Sequence, residues 1–371
     1  MSNLPKYMIV IDQIKEWIEN GEIKPGEKIY SENQMTKMFN VSRHTIREAV
    51  GQLVHEGLLY REQGAGTFCS TPPKQTPVSD DNQSNEIQGK NIGIITTYIS
   101  DYIFPAIIRG MEAYLTTKGY SLIISSTDND VEKEKQCLEA MLSRNVDGLI
   151  IEPTKSSGYN PNIHYYLELE QKSIPYLMIN QFYSELHPPY IMLDDEKGGF
   201  IATDFLIREG HEKVMGIFKT DDLQGIYRMK GFIRAFREHD IPFFNEMILD
   251  YTTENMESII KDKIDAAFSQ PDKIPTGIVC YNDTVALMVI DMLREKEVRV
   301  PEDVSIIGYD DSYLAEASEV KLTTVAHPKM QMGIDAAEWI VSAIENKDHE
   351  RKSILYEPEL VVRHSTKKLN F

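Results

Sequence analysis

Near the N-terminus, apolar side chains recur at spacings of three and four residues. This spacing places four of them on one face of a helix: Ile11, Ile14, Trp17 and Ile18. Gly21 and Pro25-Gly26 predict where that helix ends. Ser31 is a favourable N-cap for a second helix over 32–39, and Ser42 is one for a third. The third helix carries a predicted buried stripe of Ile46, Val50, Leu53 and Val54.

A β-hairpin is predicted directly after the third helix. Gly57 favours the end of that helix, and the β-type segments LLYRE and GTFCS follow it. The two segments are joined by a turn that contains Gln63, Gly64 and Gly66. Three helices followed by a hairpin is the element order of a winged helix-turn-helix, an α+β fold.

A segment of different composition follows the hairpin. From Ser70 to Lys90 the chain is rich in proline and small polar residues, and Val78 and Ile87 are its only aliphatic residues. Such a segment cannot bury enough apolar surface to fold alone. We therefore predict a multidomain chain with a head at 1–71, a flexible linker at 72–90 and a body at 91–371.

The body alternates short buried β-type runs with amphipathic segments. NIGIITT, at 91–97, is the first buried run. The predicted helices between such runs are 104–119, 131–145, 196–210, 225–239, 254–268, 283–296 and 328–346. This alternation implies parallel βαβ units, and the number of strands indicates two doubly wound α/β lobes. A ligand cleft is expected where the carboxyl ends of the strands meet.

The net negative charge of the chain affects how it can bind DNA. The 39 Lys and Arg against 58 Asp and Glu give a formal net charge of −19, whereas a generic DNA binder is basic. Residues 1–72 hold eight basic against nine acidic side chains, so −18 of this charge lies in the rest of the chain. A near-neutral head predicts weak sequence-independent affinity for DNA, so that binding depends on specific contacts.

Several classes of protein are disfavoured by what the sequence lacks. No apolar run approaches the roughly 18 residues of a membrane span, and no signal peptide is apparent, so we expect a cytoplasmic protein without membrane contact. Three scattered cysteines suit neither a disulfide framework nor a zinc site. The phosphate-binding, nucleophile-elbow and metal-binding motifs of enzymes are absent. We expect no catalytic residues, no metal and no cofactor.

The start of the third helix carries side chains suited to DNA. Arg43 and Arg47 are four residues apart and share a face. Arginine can bind guanine through two hydrogen bonds, while Ser42 and Thr45 suit phosphate contacts. The alternative is that the arginines are merely solvated and that the hairpin glycines only form a turn.

The head resembles the DNA-binding domain of GntR-type bacterial regulators. The resemblance rests on spaced motifs in order: Ser31-Glu32, Val41-Ser42-Arg43, Thr45 to Ala49, Gly57-Leu58-Leu59, Gln63-Gly64 and Gly66-Thr67-Phe68. It departs from the family at Ile29-Tyr30, where Leu-Pro is usual, and at Asn33, where arginine is usual. It implies DNA contacts from Ser31, Glu32, Asn33, Ser42, Arg43, His44, Thr45, Arg47, Gln63, Gly64, Gly66 and Thr67.

The body resembles the effector domain of LacI/GalR-type regulators, which is similar to periplasmic sugar-binding proteins. Matching stretches span residues 91–371 nearly end to end: Asn91 to Ile95, Ile107 to Glu112, Asp147 to Ile150, Asp194-Asp195, Gly198-Gly199, Arg228 to Phe232, Tyr281 to Asp283, Ile307 to Asp311 and Leu322 to Val325. The resemblance implies a two-lobed sugar-binding domain that dimerises.

Polar and aromatic side chains at the predicted strand ends are the candidate ligands of a small sugar. They supply directional hydrogen bonds and rings to pack against: Tyr98, Asp101, Tyr102, Phe104, Glu152, Gln181, Arg228, Asn282, Asp283, Asp310 and His327. The family resemblance singles out Arg228, Asn282-Asp283 and Asp310, while His327 stands where the family often has glutamine. Helix capping is the alternative role for Asp283, and also for Asp101 and Glu152.

The pairing of these two domains resembles the arabinose-responsive repressors of Gram-positive bacteria. That resemblance implies a homodimer that binds double-stranded operator DNA and is released by L-arabinose. Three alternatives remain open: a regulator that responds to another sugar or sugar derivative, a sugar-sensing module that does not bind DNA, and a sugar-processing enzyme.

Overall fold

A computed structural model describes most of the chain. The described residues are 6–20, 22–24, 26–39, 41–55, 59–62, 66–69, 90–99, 102–243, 245–269, 274–346, 350 and 352–369. Contacts divide the chain into two compact units, residues 1–86 and 87–371, which are described separately below. Nearly all of the segment predicted as a linker lies outside the described residues. Its last residue, Lys90, opens the first strand of the second unit.

The first unit contains three helices and a hairpin in the predicted order. The elements are α1 (Lys6–Glu19), α2 (Glu32–Phe39), α3 (Arg43–His55), β1 (Leu59–Glu62) and β2 (Gly66–Cys69). The two strands pair antiparallel, with Leu59 opposite Cys69 and Glu62 opposite Gly66. The winged helix-turn-helix prediction is confirmed.

The predicted caps and buried stripes of the head are also present. Ser31 and Gln34 form a reciprocal capping box at α2, in which the Ser31 amide donates to Gln34 Oε1 over 2.9 Å. Ser42 Oγ accepts the Thr45 amide at the start of α3. One apolar core joins the three helices and the hairpin through Val10, Ile11, Ile14, Ile46, Val50, Leu53 and Leu59. The side chain of Val54 lies outside the described residues.

The second unit consists of two lobes, each built on a six-stranded sheet. The first lobe has the strand order β13-β7-β6-β5-β3-β4, with every described pairing parallel. Its strands are β3 (Lys90–Thr96), β4 (Tyr120–Ser126), β5 (Gly148–Ile151), β6 (Tyr176–Ile179), β7 (Tyr190–Leu193) and β13 (Ile354–Tyr356). Its helices are α4 (Phe104–Thr117), α5 (Val131–Ser143), α6 (Ile163–Gln171) and α12 (Lys329–Glu345).

The second lobe has the strand order β14-β12-β11-β10-β8-β9, in which only β14 runs antiparallel to its neighbour. Its strands are β8 (Val214–Lys219), β9 (Ile248–Tyr251), β10 (Gly277–Cys280), β11 (Ser305–Asp310), β12 (Thr323–Ala326) and β14 (Glu359–Val361). Its helices are α7 (Asp195–Arg208), α8 (Leu223–Glu238), α9 (Met256–Phe268), α10 (Asp283–Glu295) and α11 (Tyr313–Ala317).

The two-lobed α/β prediction is therefore confirmed, although six elements were missed. The sequence analysis did not predict α6, α11, β7, β9, β13 or β14. The last two are edge strands, one in each sheet. These elements are short, with three to nine residues each, so their periodicity is weak. Within the described residues the chain crosses between the lobes after β7, after β12 and after β13.

Glycines allow one pair of helices in each lobe to pack backbone against backbone. A Cβ on Gly231 of α8 would lie 2.0 Å from the carbonyl oxygen of Glu196, and one on Gly199 of α7 would lie 2.1 Å from that of Arg228. The first lobe repeats this arrangement between α4 and α12 through Gly110 and Gly333. Only glycine fits so close an approach, and the contact holds each helix at a fixed depth.

Among the described residues, no helix is both long enough and apolar enough to cross a membrane.

Candidate effector cavity and DNA-binding face

A cavity of about 440 Å³ lies between the two lobes, at the carboxyl ends of both sheets. Its size is within the range of small-molecule sites in proteins. Both lobes contribute to its wall: Thr97, Tyr98, Tyr102, Ile103, Phe104, Asn129, Glu152, Gln181, Lys219, Asp222, Gln224, Tyr251, Thr253, Met256, Tyr281, Asn282, Thr284, Val285 and Asp310.

On the side of the first lobe, Glu152 is held by a network of hydrogen bonds. Its carboxylate accepts from the Thr97 amide at 2.9 Å, from Thr97 Oγ1 at 2.5 Å and from Asn180 Nδ2 at 2.8 Å. Burial raises the pKa of Glu152, and the hydrogen bonds oppose that shift. Because these donors occupy both oxygens, the network fixes the orientation of the carboxylate at the cavity wall.

His327 extends this network from the crossing that follows β12. Its Nε2 lies 3.1 Å from Asn180 Oδ1. Because Asn180 uses its Nδ2 toward Glu152, its Oδ1 accepts, so His327 carries its proton on Nε2. Burial lowers the pKa of His327 to about 4, which keeps the ring neutral. His327 therefore lies behind the cavity wall and supports it through Asn180.

On the side of the second lobe, Arg228 is buried at the centre of an ionic cluster. Its Nε donates to Asp195 over 2.8 Å, its Nη1 donates to the Tyr281 carbonyl over 2.7 Å, and its Nη2 lies 3.5 Å from Asp310. The guanidinium carbon lies 3.5 Å from the ring centre of Tyr309 and 4.8 Å from that of Tyr281.

In the ionic cluster, burial and charge pairing shift the pKa values of Asp195 and Arg228 in opposite directions. Burial raises the pKa of Asp195 to about 6, although Arg228 opposes the shift. For Arg228, burial favours the neutral form, but Asp195 and Asp310 raise its pKa well above the usual value. Asp310 lies on the cavity wall, and its Oδ1 has no hydrogen-bond partner among the described residues.

Asn282 and Asp283 are neighbours in the sequence but have different roles in the structure. Asn282 is the N-cap of α10 and accepts the Val285 amide at 3.0 Å. Asp283 instead turns into the protein, where it accepts from the Ser312 amide and hydroxyl and from Thr324 Oγ1. Burial raises the pKa of Asp283 to about 7. Helix capping, the alternative considered for Asp283, belongs to its neighbour.

The sequence analysis missed a charged group on the wall. Lys219, at the end of β8, pairs with Asp222 at 3.1 Å and Asp221 at 3.6 Å. Burial opposes the charge of Lys219, but the two aspartates raise its pKa above the usual value. Tyr251 and Tyr281 add an aromatic wall, and Tyr281 donates to Asp222 over 2.8 Å. Lys219 was detectable as the polar residue that directly follows the apolar run at 214–218.

The structure brings seven of the eleven predicted ligands together on the cavity wall: Tyr98, Tyr102, Phe104, Glu152, Gln181, Asn282 and Asp310. Arg228, Asp283 and His327 are buried close behind the wall, where protein groups bond to each side chain. The Nδ1 of His327 has no hydrogen-bond partner among the described residues. Asp101 lies outside the described residues. Contact of any of these residues with a sugar stays a prediction.

The predicted DNA-binding face is only partly described. Ser42 and Arg43 are exposed at the start of α3, Ser31 is exposed before α2, and Thr45 and Thr67 are half-buried. Glu32, Asn33, His44 and Arg47 lie on helices, and Gly66 opens β2. The side chains of those four helical residues are outside the described part of the chain, as are Gln63 and Gly64. The exposed start of α3 is the geometry that recognition helices use.

Metal-binding and thiol chemistry have little support among the described residues. In the described part of the chain, no group of three or more His, Cys, Asp and Glu side chains is placed to hold a metal ion. Cys69, Cys137 and Cys280 are buried. Burial raises the pKa of each thiol, most strongly that of Cys280, which suppresses the reactive thiolate.

Two family models match the chain. Residues 6–69 match bacterial regulatory proteins of the gntR family. Residues 203–366 match the periplasmic binding protein-like domain.

Known proteins resemble the chain over most of its length. It is 52% identical over 366 residues to an arabinose metabolism transcriptional repressor of Halalkalibacterium halodurans, covering 97% of this chain and 96% of that protein. It is 47% identical to a protein of the same name from Geobacillus stearothermophilus, covering 99% of each. A LacI family regulator from Enterococcus faecium, solved with bound ribose, aligns with a TM-score of 0.65 and 25% identity over 76% of this chain and 100% of that one.

Proposed function

This chain belongs to the family of arabinose metabolism transcriptional repressors, and from that membership we propose that it represses its target genes by binding operator DNA until L-arabinose occupies the interlobe cavity. Transcriptional repression is not an enzymatic role. The proposed active form is a homodimer in the cytoplasm that places one head on each half of a palindromic operator. Besides the effector, no cofactor enters the proposal.

The charge of the cavity supports a neutral sugar. Glu152, Asp222 and Asp310 contribute carboxylates to the wall, and Lys219 contributes one cation that already pairs with Asp222. A phosphorylated or acidic sugar would bring further negative charge into a buried site and would be disfavoured. Hydroxyl groups, by contrast, can donate to carboxylates and accept from amides.

The single observation that carries the effector assignment is the combination of this wall with aromatic rings from both lobes. Tyr98 and Phe104 lie on one side, with ring centres 6.1 Å apart, and Tyr251 and Tyr281 lie on the other. Rings can pack on the apolar face of a sugar while the carboxylate of Asp310, a residue of the cavity wall, accepts from a hydroxyl.

A DNA-binding titration tests this proposal. A duplex enriched from a random library by the full chain serves as the operator, and fluorescence anisotropy measures the affinity with L-arabinose, D-xylose or glucose 6-phosphate present. We expect L-arabinose to weaken binding by about fivefold or more and glucose 6-phosphate to have no effect. Unchanged affinity at saturating L-arabinose would show that the effector is another molecule.

A variant of the head separates the DNA-binding proposal from a module that contacts only protein. We expect Arg43→Ala with Arg47→Ala to abolish operator binding while leaving L-arabinose binding, measured by calorimetry, as in the unmodified chain. Arg294→Ala, which removes an exposed arginine of α10 in the second lobe, is the matched control. Retained operator affinity in the double variant would contradict the assigned face.

A further inference from the structure

Two helices of the second lobe, α8 and α10, begin at the cavity. The amides in the first turn of each need acceptors from outside the helix. The first four N–H groups of any α-helix lack intrahelical acceptors. In α8 the N-cap Asp222 accepts the amide of Gly225 at 2.8 Å. In α10 the N-cap Asn282 accepts the amide of Val285. The first residue of each helix, Leu223 or Asp283, therefore still needs an acceptor for its own amide.

The acceptor for α8 comes from the other lobe. The Leu223 amide donates to Ser156 Oγ over 2.9 Å, and Ser156 belongs to the loop after β5 of the first lobe. Ser156 is buried, and its hydroxyl proton is directed to Gln181 Oε1 on the cavity wall. One hydroxyl thus connects a wall residue of the first lobe with the start of the helix that carries Arg228.

The acceptor for α10 also comes from the first lobe. The Asp283 amide donates to the Tyr102 hydroxyl over 3.1 Å, and that hydroxyl donates to the Tyr309 carbonyl over 2.8 Å. Tyr102 has a φ of +65°, a strained backbone conformation for a bulky residue, and it precedes α4. Its hydroxyl contacts the second lobe through two backbone groups.

We infer that Ser156 and Tyr102 cap these two helices from the opposite lobe and so hold the two lobes against each other. Opening the cleft breaks both hydrogen bonds at once, because both acceptors belong to the first lobe and both donors to the second. This inference rests on the proposed function only for the role of the cavity as the effector site. It assigns Tyr102 a positioning role in place of the sugar contact predicted from the sequence.

Other contacts between the lobes accompany the two caps. Ser157 Oγ donates to the Thr220 carbonyl over 2.7 Å, Asn129 Nδ2 donates to Thr253 Oγ1 over 2.7 Å, and Lys155 pairs with Glu254. Lys155, Ser157 and Glu254 are more exposed than Ser156, so water can replace their contacts at smaller cost. Asn129 is buried like Ser156, so its bond to Thr253 adds to the two helix caps.

Hydrogen exchange of the full chain without sugar tests the inference. We expect Ser156→Ala and Tyr102→Phe each to raise the exchange of the amides that begin both α8 and α10, by about threefold to tenfold. Coupling is the critical readout, because a cap that acted only locally would affect its own helix alone. Mass spectrometry of peptides over 220–226 and 281–286 resolves the two helix starts.

Two variants that remove hydroxyl groups elsewhere in the first lobe serve as controls. Ser143→Ala and Tyr165→Phe remove hydroxyls that bond within the first lobe, and they should leave both helix starts unchanged. Ser156→Thr keeps the hydroxyl group, so exchange at both helix starts should stay slow. Increased exchange at one helix only, or none beyond the controls, overturns the inference. If Ser156→Ala fails to fold, Tyr102→Phe decides alone through α8. Failure of L-arabinose to release DNA would instead overturn the proposed effector.

Discussion

At the scale of single residues, the buried ionisable groups around the cavity are organised by hydrogen bonds rather than by solvent. His327 is neutral and donates from Nε2 to Asn180, which in turn donates to Glu152. Arg228 is neutralised by Asp195 and Asp310. Because the two carboxylates already compensate its charge, Arg228 has a structural role behind the cavity wall.

The titration of His327 gives a prediction about pH. Its pKa falls from 6.5 to about 4 on folding, so the stability that depends on the neutral ring is present above pH 6.5 and is lost as the pH falls toward 4. The shift corresponds to about 3 kcal/mol. Asp195 and Asp283 titrate with the opposite sign, because burial raises the pKa of each.

A variant isolates the contribution of His327. We expect His327→Gln, which keeps an amide donor for Asn180, to lose less stability than the unmodified chain between pH 6.5 and 4. Urea denaturation at stepped pH values measures the difference, and the aspartate contributions cancel in it. Parallel stability curves for the two proteins would show that His327 does not titrate in this range.

At the scale of elements, helix starts and helix crossings position the cavity. Asp222 and Asn282 cap α8 and α10, so the first turns of both helices face the interlobe cavity. The depth of α8 against α7 is set by Gly199 and Gly231, at which each backbone meets the other directly. Arg228 lies one turn before Gly231, and its position follows from that contact.

A substitution in this crossing should affect both stability and the site. The Cβ of Gly231→Ala would lie 2.0 Å from the Glu196 carbonyl oxygen, so the helices must separate. We expect a loss of about 1–3 kcal/mol in the free energy of unfolding and weaker effector binding, measured by denaturation and calorimetry. Gly158→Ala, which meets no atom within 4 Å, is the matched control. Equal stability of the two variants would contradict this interpretation.

At the scale of the whole molecule, the distribution of charge shapes DNA recognition. Residues 1–72 carry a net charge of about −1, whereas the remainder of the chain carries most of the total of −19. Such a head has little general attraction for the phosphate backbone, so its affinity must come from base contacts and, in the proposed homodimer, from two heads acting together.

The salt dependence of DNA binding tests this distribution. We expect the full chain to bind a random duplex with a Kd no tighter than about 10⁻⁴ M near physiological salt, the weak end of the usual non-specific range. Operator affinity should remain far tighter and should fall with salt in proportion to the phosphates contacted. Anisotropy at increasing salt measures both duplexes. Micromolar binding of the random duplex would contradict the prediction.

The sequence by itself determined most of the longer elements, their order and the fold class of both domains. Helices such as α2, predicted over 32–39 and observed over the same residues, depend on spacings and caps within about ten residues. The strand ends likewise indicated where polar side chains would gather. Local patterns suffice for such features because the hydrogen bonds and apolar faces that create them are local.

Only the tertiary structure decided which polar groups face the cavity. Asp283 turns inward while Asn282 caps α10, and the two are adjacent in sequence, so only packing against Ser312 and Thr324 separates their roles. Tyr251 arrives on β9, a strand that the sequence analysis did not predict, and the amides of Leu223 and Asp283 find acceptors in the other lobe. Such contacts join residues far apart along the chain, and only the packing of the two lobes specifies them.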